Sequence, residues 1–254
     1  MTFQLDGFVW LLLLLGPLLL LQRKVHFEIQ AVLLFLTRRV EIVTVLFSLL
    51  FLPGVIVHEL SHFIVAQMVG VRTGRFSLLP RNLGNGKLQL GYVETSSSDI
   101  LRDSTIGAAP LLFGGIIIFL IAKFRLGFGD LTSVLDLFGS GFSPEMIVNL
   151  IRVPDFWLWF YLMFAVCSTM LPSASDRRAW LPLTGLLVLL GGTGIVLGIG
   201  PWMMSSLVPA LNSLVKILAL VFGISAFIHL VLLLPLVFLR LILGKVTGLE
   251  LRTG

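Results

Sequence analysis

The stretch VHELSHFIVAQ, residues 57–67, sets two histidines and a glutamate inside an apolar run with no other charge. His58, Glu59 and His62 form the pattern H-E-x-x-H. On an α-helix, residues four apart share a face, so both imidazoles reach one Zn²⁺ ion. The glutamate beside the first histidine is placed to activate a water at that ion. It would take the water proton and pass it to a leaving amine. A chance match to so short a pattern is common in soluble chains. In lipid it is costly, because a charged residue near a bilayer centre costs roughly 2.5–3.5 kcal/mol on insertion scales. The chain has four histidines, and two of them are in this stretch.

The composition around it supports the lipid setting. Of 254 residues, 57% are hydrophobic and 12% charged, with mean hydropathy +1.05. A soluble domain carries about 25% charged residues. The chain therefore reads as an all-α membrane protein whose first partner is the lipid bilayer. The net charge of +5 fits basic loops at a lipid surface. No aromatic and basic residues interleave as nucleic acid would need, so no nucleic-acid partner is expected. Cys167 is the only cysteine, which excludes an intrachain disulfide. The N-terminus lacks a basic leader, Asp6 being its first charge, and reads as a span rather than a signal peptide.

A spanning helix needs about 20 mainly apolar residues. Residues 7–21, 42–71, 106–122, 156–171, 180–202 and 211–243 qualify by apolar content, giving about six transmembrane helices. Residues 25–40, basic at both ends, read as an interfacial helix. Residues 1–41 are then an N-terminal segment, 42–180 a core of three crossing helices, and 181–254 the C-terminal helices. One loop looks structured. In residues 72–98, Leu88, Leu90 and Tyr92 alternate with Lys87, Gln89 and Gly91, after the turn-rich RNLGNG. Period two around such a turn predicts a small membrane-associated β-hairpin following the metal-binding helix.

A hydrolytic zinc site usually takes three protein ligands. Asp176 follows the fourth span, on a helix running the same way as the His58 helix, so both approach one membrane face. His229, in the last span, lies at a compatible depth; its commoner role is an interhelical hydrogen bond. For Asp176 the alternative is a helix-end carboxylate paired with Arg177 or Arg178. Asp130, Asp136 and Glu145 belong to the opposite face.

These residues resemble the site-2 protease family of intramembrane zinc metalloproteases. The resemblance runs roughly from Phe51 to Trp180 and is carried most strongly by HELSH within a transmembrane segment. The family places its third zinc ligand in a pattern like N-x-x-P followed shortly by L-D-G. TMLPSASDR stands there, with Pro172 and Asp176 matching and Thr169 replacing the asparagine. The resemblance thus implies His58, His62 and Asp176 as ligands and Glu59 as general base. GAAPLLFGG, residues 107–115, is similar to the family's small-residue stretch on the intervening span. The family also carries a β-hairpin whose edge strand pairs with unwound substrate, which implies Leu88, Gln89, Leu90, Gly91 and Tyr92 as substrate-binding. The implied activity is hydrolysis of peptide bonds within or near transmembrane segments of membrane-protein substrates. A metal-binding transporter or a non-catalytic scaffold is the alternative, and either would keep its function without Glu59.

By resemblance the active site opens toward the cytosol. Counting Arg72, Arg75, Arg81, Lys87, Arg102, Arg177, Arg178, Arg240, Lys245 and Arg252 on that side gives ten basic residues. Lys123, Arg125, Arg152 and Lys216 give four on the other, and eight once Arg23, Lys24, Arg38 and Arg39 join them. Pro53-Gly54, just before the motif, reads as a point where the helix loosens to admit water.

Overall fold

The computed structural model describes residues 5–78, 81–82, 88–126 and 151–248. Within them the chain is a helical bundle with one small β element. Helix α1 spans Asp6–Thr37, α2 Val40–Met68, α3 Ile100–Phe124, α4 Phe156–Thr169 and α5 Trp180–Val196. The last helix, α6, spans Gly200–Thr247 and contains a π-helical turn at Met203–Leu207. Helices α1, α2, α3 and α6 are long and apolar enough to cross a bilayer, whereas α4 and α5 are shorter apolar helices. Helical form follows from composition, because an apolar run in lipid must satisfy its backbone hydrogen bonds within itself.

Residues 25–40 do not form a separate interfacial helix. They continue the first span, because Gln22, Arg23 and Lys24 are good helix formers and nothing there breaks the ladder. The break comes at Arg38, whose φ of 55° ends α1 in the left-handed region. The chain then folds back, and His26 of α1 packs on Phe47 and Phe51 of α2.

Three helices make the core that holds the motif. Tyr161 of α4 donates to the Leu50 carbonyl of α2 at 3.0 Å, and farther along both helices His58 meets Thr169. The two helices therefore run parallel. Helix α3 runs against both, with Ile106 beside His62, Gly107 beside Asp176 and Gly114 beside Met170. Phe51, Ile118, Cys167 and Met170 are fully or almost fully buried between them. Helix α3 starts at Asp99, whose carboxylate accepts from the Arg102 N–H at 3.0 Å.

The N- and C-terminal segments join beside this core. Asp6 pairs with Lys216 at 2.7 Å and accepts from Asn212, His26 lies by His229, and buried Glu28 pairs with Arg240. Since the partners rise together in number, α1 and α6 run parallel. A chain alternating through six crossings would set its first and last helices antiparallel. At about 1.5 Å per residue, α6 is roughly 72 Å long, more than twice a hydrocarbon core of about 30 Å.

The antiparallel β element forms within the expected loop, but its second arm is two short strands with Leu90 and Gly91 between them rather than one alternating strand. Strand β1 (Thr73–Ser77) pairs antiparallel with β4 (Tyr92–Thr95), and β2 (Arg81–Asn82) with β3 (Leu88–Gln89). Each ladder has two strands, so no further strand covers the outer edge of β4 among the described residues. The turn at 83–87, and Asp130, Asp136 and Glu145, lie outside the described residues.

Candidate metal centre

The motif sits on α2 about 15 Å, or ten residues, before the helix ends at Met68. His58 and His62 project from one face. The Nδ1–H of His58 donates to the Thr169 carbonyl at 2.7 Å, and that of His62 to the Ile106 carbonyl at 2.8 Å. Each ring is thereby anchored to a different neighbouring helix, with Nε2 left bare. The two Nε2 atoms face each other at 3.2 Å. Backbone carbonyls in this role fix tautomer and ring direction, as outer partners of metal-binding histidines generally do.

Asp176 completes the cluster. Helix α4 ends at Thr169, and Pro172 keeps the chain from continuing the helix. The turn that follows brings Asp176 back to the site. Its Oδ1 is 3.4 Å from His62 Nε2, and its Oδ2 is 3.6 Å from His58 Nε2. The N–H of Ser173 donates to Oδ2 at 2.7 Å and orients the carboxylate. Neither neighbouring arginine takes it: Arg178 reaches Asp103 at 3.3 Å, and Arg177 Nε donates to the Ser173 carbonyl.

Ligand atoms of His58, His62 and Asp176 all lie within 4.8 Å of one another. Two ligands about 2.0–2.1 Å from a tetrahedral ion stand about 3.3 Å apart. The two imidazole nitrogens are 3.2 Å apart, and each has a different Asp176 oxygen near that distance, Oδ1 at 3.4 Å and Oδ2 at 3.6 Å. Three acceptors converge here with no donor between them, an arrangement that a cation relieves. Two nitrogens and one carboxylate form a donor set suited to zinc among other divalent ions.

Glycines let the backbones come this close. A Cβ at Gly54 would collide with the Ala165 carbonyl and Thr169 Oγ1, and one at Gly107 with the Asp176 carbonyl. Pro53 lies within an unbroken α2, and the structure gives Gly54 a packing task against α4. The small residues of 107–115 admit the Asp176 turn at one end and Met170 at Gly114. Glu59 is 7% exposed, and hairpin residue Gly91 is buried against it.

His229 is not part of the cluster. It is fully buried, donates from Nδ1 to the Ser225 carbonyl at 2.7 Å and meets Ser168 Oγ at 3.0 Å through Nε2. This is the interhelical hydrogen bond expected as its commoner role. Of the proposed substrate strand, Leu88 and Gln89 pair with Asn82 and Arg81 in the inner ladder, and Tyr92 opens the outer one. Sequence reading missed the Thr169 and Ile106 carbonyls, since a main-chain acceptor leaves no mark on residue type. The chain matches no family model, no curated protein and no solved structure.

Proposed function

We propose that the protein is an intramembrane zinc endopeptidase of the site-2 protease type. The reading is carried by one observation: two histidines of α2 and an aspartate from the turn after α4 converge, each imidazole is anchored through Nδ1, and Glu59 follows His58 on the same helix. Zinc held by His58, His62 and Asp176 would supply Lewis acidity, lowering the pKa of a water and polarising the scissile carbonyl. Glu59 would serve as the general base, accepting a water proton at its carboxylate and delivering it to the leaving nitrogen. Leu88–Tyr92 hold the substrate extended by strand addition, which exposes a peptide bond that a helix would shield. The substrate is a membrane protein cut within or near its spanning helix.

In this reading α1, α2, α3, α4 and α6 cross the bilayer. Helices α2 and α4 are parallel, and α6 runs with α1 against both. Helix α5 therefore begins and ends on the face nearest the metal cluster, in keeping with its having no buried residue. Helix α6 ends on the opposite face. Arg240 and Lys245 move away from the cluster side, so basic-residue counting no longer selects the cytosol and the resemblance alone supports that side.

The test compares wild type with Glu59→Gln for zinc content and for cleavage of a single-span substrate. The expected result is about one zinc per chain in both, with cleavage in wild type only. Equal function in both would favour a transporter or scaffold, and wild type without zinc would end the reading.

A further inference from the structure

Gly91 lies just before β4 yet is buried against the motif helix. A Cβ there would stand 2.9 Å from Glu59 Cγ, 2.9 Å from Val55 Cγ1 and 3.1 Å from Glu59 Oε1. Its φ is not among the left-handed ones, so the demand for glycine is steric. The backbone itself forms the wall on which the Glu59 side chain rests.

We infer that Gly91 is a positioning residue, whose bare backbone holds the Glu59 carboxylate toward the His58–His62–Asp176 cluster. The assignment rests on the protease reading and deepens it. Gly91 adjoins Tyr92, the first residue of the strand whose outer edge has no strand partner among the described residues. The piece of chain offered to an extended peptide and the piece that walls the base are continuous. A peptide seated on β4 would therefore lie beside the base, with Gly91 between them. The ligand class implied is a main-chain segment in β conformation, read through its peptide groups.

The experiment uses the purified full chain as wild type, Gly91→Ala, Val55→Ala and Gly91→Ala/Val55→Ala. Zinc per chain and the kcat and KM for one single-span substrate are measured for each. Gly91→Ala is expected to keep its zinc and its KM and to lose kcat by at least about tenfold, since misplacing a reacting group by an ångström costs up to about a hundredfold. Val55→Ala alone is expected to keep its zinc and kcat while unfolding more easily, since Val55 is buried in the core, and in the double variant it restores much of kcat by giving the new methyl room on the Val55 side. Unchanged kcat in Gly91→Ala would overturn the assignment, as would zinc loss or a rise in KM alone. Wild type that cleaves nothing would overturn the protease reading and this assignment together, a result distinct from failure of the glycine variant alone.

Discussion

Substituting Gly54 by alanine tests whether backbone approach builds the metal centre. The new methyl would meet the Ala165 carbonyl and Thr169 Oγ1 well inside contact distance. Relieving the overlap requires α2 and α4 to separate by roughly an ångström. The bond from His58 Nδ1 to the Thr169 carbonyl, now 2.7 Å, would then exceed hydrogen-bonding range. Losing such an outer partner lowers metal affinity by about 10–100-fold, or roughly 1.4–2.7 kcal/mol. Overpacking adds about 1–3 kcal/mol of destabilisation. The assay is zinc affinity by chelator competition on purified protein, with helical content checked by circular dichroism. Gly16→Ala is the control, because nothing lies within 4 Å of a Cβ at that position. Zinc affinity within about twofold of wild type in a folded Gly54→Ala protein would refute the reasoning.

Other outcomes follow from the same geometry. Asp176→Ala and His62→Ala should lose zinc, whereas His229→Ala should keep it while unfolding more easily, because Ser168 and the Ser225 carbonyl lose their buried partner; zinc loss on His229→Ala alone would move the third ligand. Arg240→Ala leaves Glu28 buried without its partner and should destabilise the fold by about 3–5 kcal/mol, read from denaturant or thermal unfolding, with Glu28→Gln/Arg240→Met recovering much of the loss. Single cysteines at Ser205 and Ser96 should react with a membrane-impermeant thiol reagent from one side of the bilayer, and a cysteine at Thr247 from the other. Buried Cys167 contributes little background. Labelling of Ser96→Cys and Thr247→Cys from the same side would refute the parallel placement of α1 and α6.

The sequence alone determined the helical apolar class, the two histidines and their glutamate, the loop that holds the β element, and Asp176 as a ligand candidate. Each was legible because it rests on local periodicity, i to i+4 on a helix and i to i+2 on a strand, or on the rarity of ionisable residues in an apolar run. Asp176 and His229 could not be separated by depth, since residue counts along a helix fix height but not the direction a side chain faces. Tertiary packing separated them, by burying His229 against Ser168 and turning the chain after Thr169 so that Asp176 meets both imidazoles. Packing also joined 25–40 to the first span, set α1 parallel to α6 and gave Gly54, Gly91 and Gly107 their tasks. Those outcomes depend on contacts between residues far apart in sequence and on backbone groups common to every residue.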